Sequence, residues 1–324
     1  MTKNNIDKKN GFDVPILFII FNRPKYTEQV FAEIKKIKPK KLFIVADGPR
    51  FPSEIELCNE ARKIVENIDW DCEVKKNFSE KNLGLKKRIS SGITWFFENV
   101  EEGIILEDDC LPHPTFFDYC RIILEKYRDN NNVMMISGDN PIQDTYKANC
   151  SYFFSRYYAI WGWATWKRAW EKYDSEMKDW PRLKKEKWLK NFYHHRGLLQ
   201  FLNLLFDQAY SNEIDSWATR WFYSCLRNNG LCIAPATNIV SNIGIEGIHS
   251  SPGSNNNVPL VPLKTSSLKH PILIKQDKIY DNTFFNKSFP YYCKPLELFI
   301  KSKLLVIKLL VKIKKIFRKM GLVE

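Results

Sequence analysis

The chain has 324 residues, of which 44% are hydrophobic and 14% aromatic, enough for a substantial core and too apolar for a largely disordered protein. Its formal charge is +13, but Pro295 to Met320 alone carries eight basic residues against Glu297, a net of +7. More than half of the excess therefore sits in a tail and gives no reason to expect a nucleic-acid partner for the globular part. The eight cysteines show neither CxxC pairs nor zinc-ligand spacing, which suits buried thiols in a reducing compartment. The first ten residues lack a signal peptide's apolar core, and no apolar run is long enough to span a bilayer, so the expectation is a cytoplasmic protein.

After a polar start, Val14 to Phe21 is a continuous apolar run, the pattern of a strand covered on both faces. Asn22-Arg23-Pro24 ends it, and Tyr26 to Ile37 has helical periodicity. Lys41 to Ala46 predicts a second strand, stopped by Asp47-Gly48-Pro49-Arg50. A helix is expected from Glu54 to Ile68, a strand from Cys72 to Asn77, a helix from Leu85 to Glu98 after Asn82-Leu-Gly84, and a fourth strand at Ile104 to Leu106. Alternating strands and helices imply right-handed crossovers and a mostly parallel sheet flanked by helices. Ligands of such sheets bind at the carboxyl ends of the strands, which puts Asn22-Arg23, Asp47-Gly48 and Glu107-Asp108-Asp109 on one rim.

The second half reads differently. Val133 to Ser137 is a strand followed by Gly138-Asp139-Asn140; four tryptophans fall between Trp161 and Trp170; Lys184 to Asn229 is mainly helical; Leu231 to Ala234 is a strand. A glycine-containing loop runs from Asn238 to His249, and residues 250–263 read as a linker. There is no GxGxxG and no P-loop, which excludes a dinucleotide fingerprint and a Walker-type nucleotidase.

Glu107-Asp108-Asp109 is the most informative stretch. Three like charges at the mouth of a buried strand repel one another and resist desolvation, so a cation is expected among them. Oxygen-only donors suit Mg²⁺ or Mn²⁺, which commonly bridge a carboxylate to a substrate phosphate. The plainer alternative is that these residues cap the helix beginning near Pro114.

Taken in order, Ile19-Ile-Phe-Asn22-Arg23-Pro24, Asp47-Gly48, Asn82-Leu-Gly84, Leu106-Glu107-Asp108-Asp109, Trp161-Gly-Trp163 and Asp215-Ser-Trp217 resemble nucleotide-sugar glycosyltransferases of the GT-A fold. The likeness is to bacterial family-2-like enzymes and, more distantly, to the N-acetylglucosaminyltransferase I type; it covers residues 12–250. The resemblance implies a divalent metal on Asp109, the ribose or donor against Asp108, and a donor-sugar hydroxyl against Glu107. It also implies nucleotide contacts from Arg23 and Asp47, with Arg88 a further candidate. Asp215 would be the general base that deprotonates an acceptor hydroxyl for inverting transfer. Local chemistry offers plainer roles: a turn for Arg23 and Asp47, a solvated helix face for Arg88, and a helix N-cap for Asp215. Burial beside Trp217 and Trp221 would raise the pKa of Asp215.

Trp163, Trp166 and Trp170 follow helical spacing and read as core, whereas Trp161 is a candidate for stacking on a sugar. His249 is a candidate further metal or diphosphate contact on a closing loop. The expected organisation is a catalytic domain at 12–250, an irregular linker at 251–293, and a basic amphipathic helix at 294–320. In that helix Lys301, Lys308, Lys312, Lys315 and Lys319 form a stripe opposite Leu305, Leu309, Ile313 and Ile316, which suits the inner, anionic face of the cell membrane. The implied activity is sugar transfer from a nucleotide-sugar donor to a glycan or lipid-linked acceptor of a cell-surface polysaccharide or glycoconjugate. Alternatives are a sugar-phosphate nucleotidyltransferase, which generally has a glycine-rich basic loop where this chain has Phe21-Asn22-Arg23-Pro24, and a non-catalytic membrane-associated scaffold.

Overall fold

The computed structural model describes residues 11–244 and 258–288. The expected basic helix at 294–320 and His249 lie outside them.

The chain begins with β1 (Ile16–Ile20), α1 (Pro24–Ile37), β2 (Lys41–Ala46), α2 (Ile55–Ile64), β3 (Glu73–Phe78), α3 (Leu85–Phe97) and β4 (Glu102–Glu107). It continues through β5 (Cys110–Pro112), α4 (Thr115–Tyr127), β6 (Val133–Ser137), β7 (Tyr152–Ser155), β8 (Trp163–Trp166) and α5 (Lys167–Trp170). The last elements are α6 (Trp180–Lys185), α7 (Arg196–Tyr210), α8 (Trp217–Arg227), β9 (Leu231–Pro235), β10 (Val240–Asn242) and α9 (Lys278–Ser288).

Eight strands form one sheet in the order β3-β2-β1-β4-β8-β6-β9-β7, and β10 pairs with β5 in a separate two-stranded ribbon. The β3-β2-β1-β4 half is parallel throughout, β6 and β9 are also parallel, and β8 and β7 run antiparallel to their neighbours. The fold is thus a mixed α/β sheet flanked by helices.

Alternation along the strands assigns the two faces. Ile16, Phe18 and Ile20 of β1 and Leu42 and Ile44 of β2 point toward α1, α2 and α4, where Phe31, Ile34, Phe117 and Ile123 complete a core. Leu17, Ile19, Phe43 and Val45 point to the other side, against Ile89, Ile93 and Phe96 of α3 and against Trp170, Trp217 and Trp221. Gly103 shows how tight that second core is: a methyl group there would run into the ring of Phe96 and come within 2.9 Å of the Pro15 carbonyl oxygen. Gly103→Ala is therefore expected to lower unfolding free energy by about 1–3 kcal/mol in urea titrations, the usual cost of an overpacked core.

The structure departs from the sequence reading in several places: β7 and β10 were not expected, the latter lying in the stretch read as a loop. Trp163 and Trp166 lie in β8, not on a helix; Trp163 joins the α3-side core and Trp166 the opposite one, as residues three apart on a strand must. The segment expected to be an irregular linker carries α9, which buries Tyr280, Asp281 and Phe285. Among the described residues no helix is long and apolar enough to cross a membrane.

Candidate functional site

The chain steps outward from β1 to β2 to β3 and then returns to the other side of β1 as β4, so the order reverses between β1 and β4. A crevice outside the carboxyl ends of the strands is the expected ligand position in such a sheet. A cavity of about 580 Å³ opens there, lined by Phe21, Asn22 and Arg23 after β1, Asp47 and Arg50 after β2, and Glu107 and Asp108 at the end of β4. Gly84, Leu85 and Arg88 at the start of α3 form another wall, and Asp215 enters from the α7–α8 junction. The shared rim read from the sequence is therefore present, and Arg88 and Asp215 join it.

Arg23 brings a positive charge to the acidic triplet. Arg23 makes an ion pair with Asp108 and a second one, at 2.7 Å, with Asp109. Asp108 is 2% exposed, while the Arg23 side chain keeps 32% of its surface. The Phe21 amide also donates to Asp108 at 3.1 Å. Burial pushes the Asp108 carboxyl up to about 6, because desolvation outweighs Arg23. Glu107, which has no such partner among the described residues, is raised further, to about 8, by burial and by the charges of Asp109 and Asp108. For Arg23, burial pulls downward but the two carboxylates prevail and hold its pKa above its ordinary value. Gly244 caps this pair: a Cβ there would lie 2.5 Å from Asp109 Oδ2 and 3.0 Å from an Arg23 Nη.

Asp47 is a tie between loops. Its carboxylate accepts from the amides of Gly48 and Leu83 and from the Asn82 side chain, at 2.9–3.2 Å. These bonds give Asn82-Leu-Gly84 its position and leave Asp47, itself buried, little free acceptor capacity. Arg88 is buried rather than solvated, which overturns the surface-helix alternative. It donates to the Asn77 carbonyl and side chain, while its Nε has no partner among the described residues. Burial lowers its pKa.

Asp215 is exposed, contrary to the burial expected beside Trp217 and Trp221, which are themselves core residues. It is not the helix cap either: Ser216 caps α8, accepting from the Thr219 amide at 3.2 Å. Asp215 Oδ2 instead faces the N-terminal turn of α3, 3.5 Å from the Lys86 amide. Trp161 packs at the edge of the larger core and does not line the cavity. Arg50 was missed in the sequence, where Asp47-Gly48-Pro49-Arg50 reads only as a turn. It lines the cavity and pairs with Glu54, which also accepts from Asn22 Nδ2 at 3.0 Å.

As arranged, the carboxylates do not form a divalent-ion site. Asp108 and Asp109 are both engaged by Arg23, and among the described residues no three His, Cys, Asp or Glu side chains are grouped to hold a metal. Asp109 is the one expected metal ligand that is described.

No family model and no curated protein matches the chain. Solved structures match at low similarity. HddC from Yersinia pseudotuberculosis is 8% identical, with 49% of this chain and 80% of that one covered at a TM-score of 0.31. A cytidylyltransferase from Leptospira borgpetersenii serovar Hardjo-bovis is 14% identical, with 51% and 64% covered at 0.32. Mouse xyloside xylosyltransferase 1, in its apo form, is 10% identical, with 66% and 81% covered at 0.30. Scores this low carry no argument about activity, so the functional reading rests on this chain's own cavity.

Proposed function

We propose that the chain is a GT-A-type glycosyltransferase that moves a sugar from a nucleotide-sugar donor, with inversion, to a hydroxyl of a glycan or lipid-linked acceptor. The observation that carries this reading is that Asp215 reaches the same cavity as Arg23, Glu107 and Asp108, although more than a hundred residues separate it from the acidic triplet. A carboxylate on one wall and guanidinium groups on another are the two things such a transfer needs. Asp215 takes the acceptor proton as the hydroxyl oxygen attacks the anomeric carbon. The bond from that carbon to the diphosphate breaks, and Arg23 and Arg50 stabilise the charge that leaves. Glu107 lines the same cavity and is placed to hydrogen-bond a donor-sugar hydroxyl.

Mn²⁺ or Mg²⁺ enters this reading only as the cofactor the sequence resemblance implies at Asp109, where it would have to displace Arg23; the roles of Asp215, Arg23 and Arg50 stand without it. The proposed place of action is the inner face of the cell membrane, reached through the basic segment 294–320.

Thermal unfolding with Mn²⁺ and a panel of nucleoside diphosphates and nucleotide sugars tests the donor site. One nucleotide at about 100 times its Kd is expected to stabilise the protein by about 2.7 kcal/mol, and Asp109→Ala is expected to abolish that gain. No shift with any nucleotide, in folded protein, ends the proposal. Exchange of pyrophosphate into a nucleoside triphosphate in the presence of a sugar 1-phosphate would replace it with a nucleotidyltransferase.

A further inference from the structure

The three most exposed large hydrophobic side chains among the described residues fall within eight positions of one another. Ile272 is 98% exposed, Ile279 71% and Leu273 69%, and Ile274 between them is 42% exposed. Single exposed aliphatics are ordinary, but a contiguous cluster marks a contact surface.

This cluster is built and held in place. On one side, the Ser151 amide donates to the Lys269 carbonyl at 2.9 Å, the Lys269 amide donates back to Ser151 Oγ at 2.8 Å, and His270 Nδ1 lies 2.8 Å from the Tyr152 hydroxyl. On the other, Gln276 forms a bridge with Phe154, and the Asp277 amide donates to the Phe154 carbonyl at 2.7 Å. Both feet of the loop are thus tied to β7, the edge strand of the main sheet, and Pro271-Ile-Leu-Ile274 projects between them.

Its surroundings are basic. Lys269, Lys275 and Lys278 are exposed within and beside the loop, and Lys126 lies close enough to His270 to depress its pKa, after burial. The acids tied to the loop are Asp277, whose carboxylate accepts from Tyr146 and from the Ile279 and Tyr280 amides, and the buried Asp281, which accepts from Gln276 Nε2 at 2.7 Å. An aliphatic tip ringed by lysines matches the apolar interior and anionic headgroups of a bilayer surface. The chain also runs on from here through α9 into the basic segment that starts at residue 294.

We propose that Pro271–Ile274, with Ile279 beside it, is a membrane-insertion wedge on the folded body, and that its partner is an anionic lipid surface. The wedge is a contact additional to the basic tail and does not depend on the transferase reading.

The test uses the full chain and vesicles of phosphatidylcholine with or without phosphatidylglycerol. In Ile272→Trp, the added indole is expected to shift to the blue and to be quenched by lipids brominated on their acyl chains, after subtraction of the native protein's signal. Quenching is expected with phosphatidylglycerol present and to be lost with phosphatidylcholine alone. The pair Ile272→Asp and Leu273→Asp is expected to lower vesicle partitioning by about tenfold or more with an unchanged melting temperature. Three results overturn the wedge: an unquenched indole in vesicle-bound protein, which leaves binding to the tail alone; no vesicle binding at all; or a double variant that partitions normally but loses a solution dimer in light scattering, which makes the patch a contact between copies.

Discussion

Asp215→Asn is expected to lower turnover by about 10²–10⁴-fold while leaving the donor Kd within about twofold, because a positioned general base acts on the acceptor proton and not on the nucleotide. The geometry makes the variant informative. Asp215 is exposed, so the change opens no cavity and buries no new polar group. One of its oxygens faces the Lys86 amide at 3.5 Å, a weak contact whose loss should hardly affect stability. Ser216 retains the α8 cap and the Asn212 side chain retains its bonds to Lys86 Nζ and Arg220, so the junction that carries residue 215 stays in place. The loss should therefore fall on kcat with the melting temperature unmoved. Turnover within about threefold of the native enzyme would remove Asp215 from the chemistry and leave the cavity as a binding site alone.

The elements that were legible in the sequence are those whose two faces are covered by helices of the same half. Lys41–Ala46 is a strand over the very residues expected, because its apolar run is stopped by Asp47-Gly48 and nothing in it competes with β structure. β8 was not legible. A strand between β4 and β6 is buried on both sides and shows no alternation, and Trp163, Trp166 and Trp170 imitate a helical stripe because a four-residue strand runs straight into the short α5. In α9 a buried Asp281 beside Tyr280 breaks the apolar pattern, and its partners Gln276 and the Arg156 amide are known only from the fold. The site divides in the same way. The need for a cation among Glu107, Asp108 and Asp109 follows from electrostatics alone, but its identity does not, since Arg23 is 85 residues from Asp108 in the chain. Likewise Asp47 reads as a turn or a ligand contact with equal ease, and only the partners Asn82 and Leu83 show it tying two loops.

The buried carboxyl groups should place maximum stability near pH 4, in the ordinary carboxyl range, and lower it as the pH rises, the reverse of the common acid-labile pattern. Four carboxyl groups, Asp108, Asp139 and Asp281 buried and Glu107 partly so, have raised values: Glu107 and Asp139 to about 8, Asp108 and Asp281 to about 6. Each holds a proton in the folded state at a pH where the unfolded chain has released it. The stabilisation is fully present below the ordinary carboxyl range and is lost as the pH climbs through the folded-state value, by up to about 1.4 kcal/mol per pH unit for each group. All four act in this direction to about pH 6, and Glu107 and Asp139 continue to about 8. The lowered carboxyls Glu54 and Asp179, held down by Arg50 and Arg227, act oppositely below the ordinary carboxyl range, and His113 and His270, lowered by burial, do so up to the ordinary imidazole range. Asp139 isolates the effect, since burial alone raises it and it lies outside the cavity lining. Asp139→Asn fixes the neutral form. It should leave stability nearly unchanged at pH 4 and well above the native protein's at pH 8.5 in urea unfolding, the gain accruing at about 1.4 kcal/mol per pH unit up to about pH 8. An equal loss of stability at both pH values would mean that Asp139 is held by a hydrogen bond to its charged form, and the direction of its pKa shift would have to be reversed.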